Sequence, residues 1–168
     1  CLVGSEMCIR DRYIKRATER KSSIPGYDIV IEATHHGPTS LNKPVLFVEL
    51  GSSERQWEDE RAASFICDSL LSVLEREGDG RCGNVCIGLG GTHYPSKFNE
   101  LLLGPEFGFA AIASKHNLYS VDRAMLNQMI SKCTEEVTHI AVDKKGLGSH
   151  RERIMRLISE TGLEVLAL

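Results

Sequence analysis

Three short apolar runs along the chain each end in a polar block. The runs are residues 29–31, 45–48 and 85–87, and the blocks are residues 32–39, 49–54 and 88–94. Short apolar runs bounded by polar loops are typical of buried parallel strands. Since ligands bind beyond the carboxyl ends of the strands in open α/β sheets, we expect the three blocks to assemble one site.

Further along the chain, the apolar positions alternate between strand and helix spacing. One long helix is predicted over residues 53–78, where Ser53 and Gln56 fit a capping box. Strands are predicted over residues 84–89, 106–113, 139–143 and 164–168, and helices over residues 122–133 and 149–162. This alternation predicts a three-layer α/β domain.

Length, charge and cysteine pattern narrow the class of protein. The chain has 168 residues, 42% of them hydrophobic, which is enough for a single core. Its formal net charge is −3, so a nucleic-acid partner would need a local basic patch on the surface. No apolar run approaches the ~18 residues of a membrane span, and no signal peptide is apparent. Scattered cysteines are typical of reduced proteins. We therefore expect a cytoplasmic protein that does not contact a membrane.

The first twelve residues need separate treatment. Residues 1–12 resemble translated sequencing-adapter read-through, and the chain opens without an initiator methionine. Segments of artificial origin are excluded from fold reasoning. We expect residues 1–12 to be a non-native artefact, and residues 13–168 to form a single α/β hydrolytic domain that is incomplete at its N-terminus.

Three histidines lie in the polar blocks. His35 and His36 are adjacent, so on an extended backbone they point to opposite sides unless the chain turns sharply at Gly37. His93 follows two glycines, Gly90 and Gly91, which allow a backbone to approach a ligand closely. Each histidine can instead hydrogen-bond the backbone and shape its loop. The glycine context favours a functional role for His93.

Two carboxylates end apolar runs. Glu32 and Glu49 would each require a partner if buried, and they suit a general base, a metal ligand or a group that orients a histidine. The alternative is a carboxylate that only fixes its loop. Lys97 can meet a phosphate or remain solvated. Residues 88–91 lack the full dinucleotide fingerprint, which argues against a nucleotide cofactor.

The order and spacing of the blocks resemble one known family. Four segments of the chain resemble the archaeal and plant type of D-aminoacyl-tRNA deacylase. They are EATHHGPT (residues 32–39), FVELGSSE (residues 47–54) with Trp57, GGTHY (residues 90–94) with Lys97 and Phe98, and VDKKGL (residues 142–147). The resemblance runs from about residue 28 to the C-terminus. It implies a phosphorylase/hydrolase-like α/β/α fold with a mixed, mainly parallel sheet. Known members are longer at the N-terminus.

The resemblance also implies an activity and a partner. The family hydrolyses the ester that joins a D-amino acid to the 3′-terminal adenosine of tRNA, and it is described as zinc-dependent. The partner is therefore the 3′ end of an aminoacyl-tRNA, and the intact protein is expected to be a monomer. One departure is that Ala110 and Ala111 stand where the family pattern carries a Gly-His pair, with His116 nearby.

The site expected from the residues and the resemblance has three sets of side chains. The catalytic set is Glu32, His35, His36, Glu49 and His93; the substrate contacts are Thr34, Gly90, Gly91, Thr92 and Lys97; and the expected Zn²⁺ ligands are His35, His93 and Glu49.

Chemistry allows three routes to ester cleavage. A zinc-bound water can attack the carbonyl, a histidine or glutamate can act as general base, or the ribose 2′-hydroxyl can assist while backbone amides of residues 90–92 hold the oxyanion. No serine or cysteine lies in a nucleophile elbow, so an acyl-enzyme is disfavoured.

Two other functions stay open. One is a zinc-dependent amidohydrolase or peptidase of the same fold, and the other is an inactive truncated remnant that binds tRNA. If tRNA binds, a set of basic residues should gather at the pocket mouth: Lys15, Arg16, Arg20, Lys21, Lys97, Lys144, Lys145 and Arg151.

Overall fold

Four parallel strands form the central sheet of the computed structural model, which describes residues 7–35, 45–75 and 83–168. The strands are β1 (Asn84–Leu89), β2 (Phe107–Ala113), β3 (His139–Val142) and β4 (Glu164–Ala167), in the order β2-β1-β3-β4. The helices are α1 (Met7–Glu19), α2 (Glu54–Trp57), α3 (Glu60–Leu74), α4 (Ser96–Leu103), α5 (Arg123–Ser131) and α6 (Arg151–Ser159). The four strands are thus all parallel rather than mixed as predicted.

The register of the sheet brings three strand ends to the same level. Leu89, the last residue of β1, pairs with Ala113 of β2 on one side and with Val142 of β3 on the other. In a parallel sheet such ends lie about 4.8 Å apart from strand to strand. The loops after β1, β2 and β3 therefore leave the sheet side by side.

A buried core covers each face of the sheet. On one face the core includes Leu126 of α5 and Ile154 of α6. On the other face it includes Phe98 of α4, with Tyr13 of α1 and Phe65 of α3. Because β1 is buried from both sides, its continuous apolar run is the pattern expected of a central parallel strand. The three-layer α/β/α arrangement is confirmed.

The predicted long helix over residues 53–78 is divided into α2 and α3. Gln56 accepts a hydrogen bond from the Ser53 backbone N–H at 3.0 Å, as a capping box requires. Asp59 then caps a new helix, since its carboxylate accepts the N–H groups of Arg61 and Ala62 at 3.0 and 3.1 Å. Residues 76–78 lie outside the described residues.

The apolar runs at residues 29–31 and 45–48 were predicted as buried strands, and this prediction is wrong. Both are extended segments without ladder pairing in the described sheet. Val30 and Phe47 are 43% and 42% exposed. An apolar run of three or four residues fits any half-covered extended segment, so the pattern alone does not show that a partner strand exists.

Part of the segment expected to be an artefact lies in α1. Residues 7–12 form its first turns, and Arg10 pairs with the buried carboxylate of Asp11 at 2.9 Å. Burial raises the pKa of Asp11, against the lowering effect of Arg10. Arg10 also donates to the carbonyl of Phe109. The non-native origin of residues 1–12 stays a prediction, as does the division of the chain at residue 13.

None of the described helices has the length and apolarity to cross a membrane.

We expect Gly88→Ala to destabilise the fold. A Cβ at Gly88 would lie 3.0 Å from Ile112 and 3.1 Å from Phe98, between strand and helix. Overpacking of this kind costs about 1–3 kcal/mol, against a gain of about 0.4–1 kcal/mol from the stiffer unfolded chain. Denaturant unfolding measures the net loss.

The matched control is Gly51→Ala, whose added Cβ would meet Trp57 at an ordinary 3.9 Å. That variant should be neutral or slightly more stable than the parent. Equal stability of the two variants would show that the contact of β1 with α4 is looser than described.

Candidate active site

A glycine turn follows β1 and passes close to the turn after β3. Gly90 and Gly91 have φ of +98° and +76°, in the left-handed region that glycine favours. A Cβ at Gly90 would lie 2.9 Å from the carbonyl oxygen of Asp143. The Gly90 N–H donates to the carbonyl of Ala113 at 2.9 Å. The sheet therefore engages this amide, and the predicted oxyanion role of the backbone at residues 90–92 stays a prediction.

The segment before His35 is tied to the ends of β1 and β2. The Ala33 N–H donates to the carbonyl of His93 at 2.9 Å, and the Thr34 N–H donates to the carbonyl of Ile112 at 2.8 Å. The Thr34 hydroxyl oxygen also accepts the Ile112 N–H at 3.0 Å. In this structure Thr34 anchors the segment to β2, and its contact with substrate stays a prediction.

These anchors bring three metal-type donors together. Donor atoms of Glu32, His35 and His93 all lie within 4.8 Å of one another. A carboxylate oxygen of Glu32 lies 3.3 Å from Nε2 of His93, and the two imidazole rings are 4.5 Å apart at their centroids. We refer to these three residues as the donor cluster. The structure therefore joins Glu32, His35 and His93, three of the residues singled out in the sequence.

The imidazole of His35 is oriented by its own backbone. Its Nδ1 lies 2.8 Å from the carbonyl oxygen of Ala33. Because a carbonyl only accepts, Nδ1 must carry a proton, so the lone pair of the neutral ring lies on Nε2. This hydrogen bond fixes both the tautomer and the ring plane.

Tyr94 extends the donor cluster and was not singled out as a separate site residue. Its ring packs edge-on against His93, with centroids 4.7 Å apart. A hydrogen bond to Glu32 raises the pKa of the Tyr94 phenol, and partial burial and the charges of Glu32 and Glu49 act in the same direction. The phenol therefore stays protonated at neutral pH and donates to Glu32. The sequence signal was its position next to His93.

Glu49 is not the third member of the donor cluster. Among the described residues that place belongs to Glu32, and the predicted zinc set of His35, His93 and Glu49 stays a prediction. Glu49 lines the same cavity as Glu32, and its charge acts on Tyr94. Its catalytic role stays a prediction. His36 lies outside the described residues.

The other predicted substrate contacts lie around the glycine turn. Thr92 donates its hydroxyl to the carbonyl of Tyr94 at 2.8 Å, which stabilises the loop. Lys97 pairs with Asp143 at 2.8 Å, so its ammonium is held at the turn after β3. Asp143 is 15% exposed at its side chain. It was missed because one carboxylate after a strand carries no distinctive spacing.

A cavity of about 790 Å³ opens beside Glu32 and Glu49. Its wall contains many apolar side chains, including Ile31, Phe47 and Trp57. Cavities of several hundred Å³ with apolar walls and a few polar groups are typical of small-molecule sites. The arrangement offers apolar room next to carboxylates, imidazoles and a phenol, which suits acid–base or metal-assisted chemistry on a bound organic group.

Comparisons with known proteins identify the family of the chain. A family model described as D-aminoacyl-tRNA deacylase matches residues 6–166. The D-aminoacyl-tRNA deacylase of Cenarchaeum symbiosum is 36% identical over 156 residues, 93% of this chain and 59% of the relative. That of Pyrococcus furiosus is 37% identical over 142 residues, 84% of this chain and 51% of the relative.

A solved structure shares the fold. The crystal structure of a conserved protein of unknown function has a TM-score of 0.86 at 27% identity, and the match covers 98% of this chain and 58% of that chain. The chain thus spans about half the length of the relatives it matches, between 51% and 59% for the two compared here. With a family model that matches nearly all of its residues, the chain belongs to the D-aminoacyl-tRNA deacylase family.

Proposed function

We propose that the protein hydrolyses the ester bond of D-aminoacyl-tRNA and releases tRNA and a free D-amino acid. Family membership supports the reaction class. The observation that carries the proposal to this chain is the convergence of Glu32, His35 and His93 beside a cavity that is lined by both apolar and polar side chains. A cytoplasmic location, a monomeric state and the tRNA 3′ end as partner belong to the same proposal.

Ester hydrolysis requires a water to lose a proton as it attacks the carbonyl carbon. A carboxylate oxygen of Glu32 lies 3.3 Å from Nε2 of His93, which favours the tautomer with the ring proton on that nitrogen. Nδ1 of the neutral ring is then the proton acceptor, and the Glu32 carboxylate stabilises the imidazolium that forms. The Tyr94 hydroxyl donates to Glu32 and holds the carboxylate in place. The same proton can then pass to the departing ribose oxygen.

The donor cluster also fits zinc. Catalytic zinc sites use three protein ligands at about 2.0–2.2 Å and keep one position open, and two histidines with a glutamate form such a set. Donor atoms within 4.8 Å of one another are compatible with one ion after small rotations. The hydrogen bond from His35 Nδ1 to Ala33 is the outer contact that orients zinc-binding histidines. When bound, zinc supplies a Lewis acid at the ester carbonyl.

The cavity supports a role in selecting the substrate. An apolar wall with Ile31, Phe47 and Trp57 suits the side chain of an amino acid, and the carboxylates Glu32 and Glu49 suit its ammonium group. Fixing both groups of an amino acid leaves a single position for the ester carbonyl. The enzyme would then discriminate between the D and L enantiomers because only one of them places that carbonyl beside His93.

We expect Glu32→Gln and His93→Ala each to reduce kcat for D-tyrosyl-tRNA by about 10²–10⁴-fold, the usual contribution of acid–base groups. The parent should cleave D-tyrosyl-tRNA much faster than L-tyrosyl-tRNA. The assay measures loss of the radiolabelled amino acid from tRNA, with circular dichroism to confirm folding.

Glu164→Gln is the matched control, because Glu164 also faces a histidine, His139, at 3.4 Å, but at the opposite edge of the sheet. It should keep parental kcat. Full activity of folded His93→Ala would remove the donor cluster from the mechanism. Cleavage of peptides or amides instead of the ester would favour the amidohydrolase alternative.

Zinc is tested by metal analysis of the purified protein. We expect a zinc-to-protein ratio of about 1, lost in His35→Ala and in Glu32→Ala because each removes one ligand. Glu49→Ala should retain zinc, since Glu49 is not among the clustered donors. A metal-free protein that keeps full activity after exhaustive chelation would leave the general-base or 2′-hydroxyl route.

A further inference from the structure

Three exposed lysines lie at the carboxyl edge of the sheet, just after β2 and β3. They are Lys115, Lys144 and Lys145, and we call them the lysine rim. We propose that the lysine rim binds the sugar-phosphate backbone at the 3′ end of tRNA and thereby holds the terminal ester at His93. The inference rests on the proposed function and assigns a surface to it.

The backbone places the lysine rim beside the donor cluster. The Lys115 N–H donates to the carbonyl of Gly91 at 2.8 Å, and His93 is two residues further along the chain. Two residues span at most about 7 Å, so the Lys115 backbone lies within about 10 Å of that of His93. An extended lysine side chain covers the remaining distance to a phosphate next to the terminal adenosine.

The sheet register sets the spacing inside the lysine rim. Ala113 and Val142 lie level on either side of Leu89, so the ends of β2 and β3 are about 10 Å apart. Lys115 and Lys144 each follow two residues after these positions. Flexible lysine side chains at this separation match successive or next-nearest phosphates of a single strand.

The charges of the lysine rim are available to an anion. Among the described residues, none of its three ammonium groups forms an ion pair, whereas Lys97 next to it is held by Asp143. The predicted basic residues in and just after α1 are engaged. Arg16 pairs with Glu19 at 2.9 Å, Lys21 pairs with Asp28 at 2.6 Å, and Arg20 lies over the ring of Phe65.

This contrast favours the lysine rim, whose Lys144 and Lys145 belong to the basic set expected from the sequence, over the residues of that set in and just after α1. The protein carries a net charge of −3, so a polyanion is repelled by most of its surface and attracted only where cations are concentrated. The lysine rim is such a place, and it adjoins the site of the ester. A backbone-binding surface also suits an enzyme that must accept many tRNAs, since phosphate contacts carry no sequence information.

The test compares two triple variants that remove the same charge. The rim variant is Lys115→Gln, Lys144→Gln and Lys145→Gln. The control variant is Arg16→Gln, Lys21→Gln and Arg156→Gln, of which Lys21 and Arg156 are exposed and Arg16 is partly buried. Substrates are D-tyrosyl-tRNA and the D-tyrosyl ester of adenosine, which contains the ester but no phosphate backbone.

We expect the rim variant to raise KM for D-tyrosyl-tRNA by about 10–100-fold at low salt. The slope of log KM against log salt concentration should also fall by about 2, because each lost phosphate contact removes about 0.7 from it. Its kcat should stay close to the parental value. The ratio of tRNA to adenosine-ester cleavage should fall by the same factor, and Lys→Arg at the three positions should restore it. The control variant should match the parent.

Binding of deacylated tRNA, followed by fluorescence anisotropy, separates this inference from the proposed function. Weaker binding by the rim variant supports the lysine rim even if neither ester is cleaved. If both triple variants lose the same amount of affinity for tRNA, the effect comes from net charge alone and the inference is overturned. Unchanged binding and KM in the rim variant would overturn it as well, while cleavage of the adenosine ester would leave the proposed reaction standing.

Discussion

The close crossing of two backbone turns determines the geometry of the whole carboxyl edge of the sheet. The turn at Gly90 and Gly91 packs so tightly on the turn after β3 that a Cβ at Gly146 would lie 2.4 Å from the Gly91 nitrogen. Only glycines allow this approach. Because the turn is held there, the carbonyl of His93 can accept the N–H of Ala33, which carries Glu32 and His35 into place.

The same crossing links catalysis to binding. Asp143 lies in the turn after β3, where its carboxylate pairs with Lys97 and its carbonyl lies against Gly90. Lys144 and Lys145 follow it directly, so the residues that tighten the glycine turn are contiguous with the lysine rim. A shift of this turn would therefore move the donor cluster and the proposed phosphate contacts together.

Much of the central fold could be predicted because it depends on local pattern. β1 was predicted with its observed bounds, since a fully buried strand reads as a continuous apolar run. Helix α4 was missed although Phe98 and Leu102 are fully buried, because a helix of two turns offers few periodic positions to recognise. The runs at residues 29–31 and 45–48 were predicted as strands and are not, because apolar composition does not reveal whether a neighbouring strand is present.

The site could be predicted only in part, for a different reason. The motifs brought attention to His35, His93 and both glutamates, but choosing Glu32 over Glu49 requires knowing which segment is anchored to β2. The fate of an amide such as that of Gly90 likewise depends on the register of the sheet. Such pairings are tertiary, and no spacing along the chain encodes them.

A second histidine–glutamate pair shows why the neighbourhood decides chemistry. His139 and Glu164 approach to 3.4 Å, almost as close as His93 and Glu32. Yet His139 is 8% exposed, its ring packs edge-on against Phe107, and its Nδ1 lies 2.7 Å from the Thr138 hydroxyl, so both ring nitrogens have partners. This pair lies at the amino edge of the sheet, outside the cavity wall.

The pair at the carboxyl edge differs in what surrounds it. His93 keeps a half-exposed ring, a second imidazole at 4.5 Å and a cavity beside its carboxylate partner. A ligand can reach it, and its second nitrogen is available for a proton or a metal. Two histidine–glutamate pairs of similar separation therefore have different roles, and access to a ligand separates a reactive pair from a structural one.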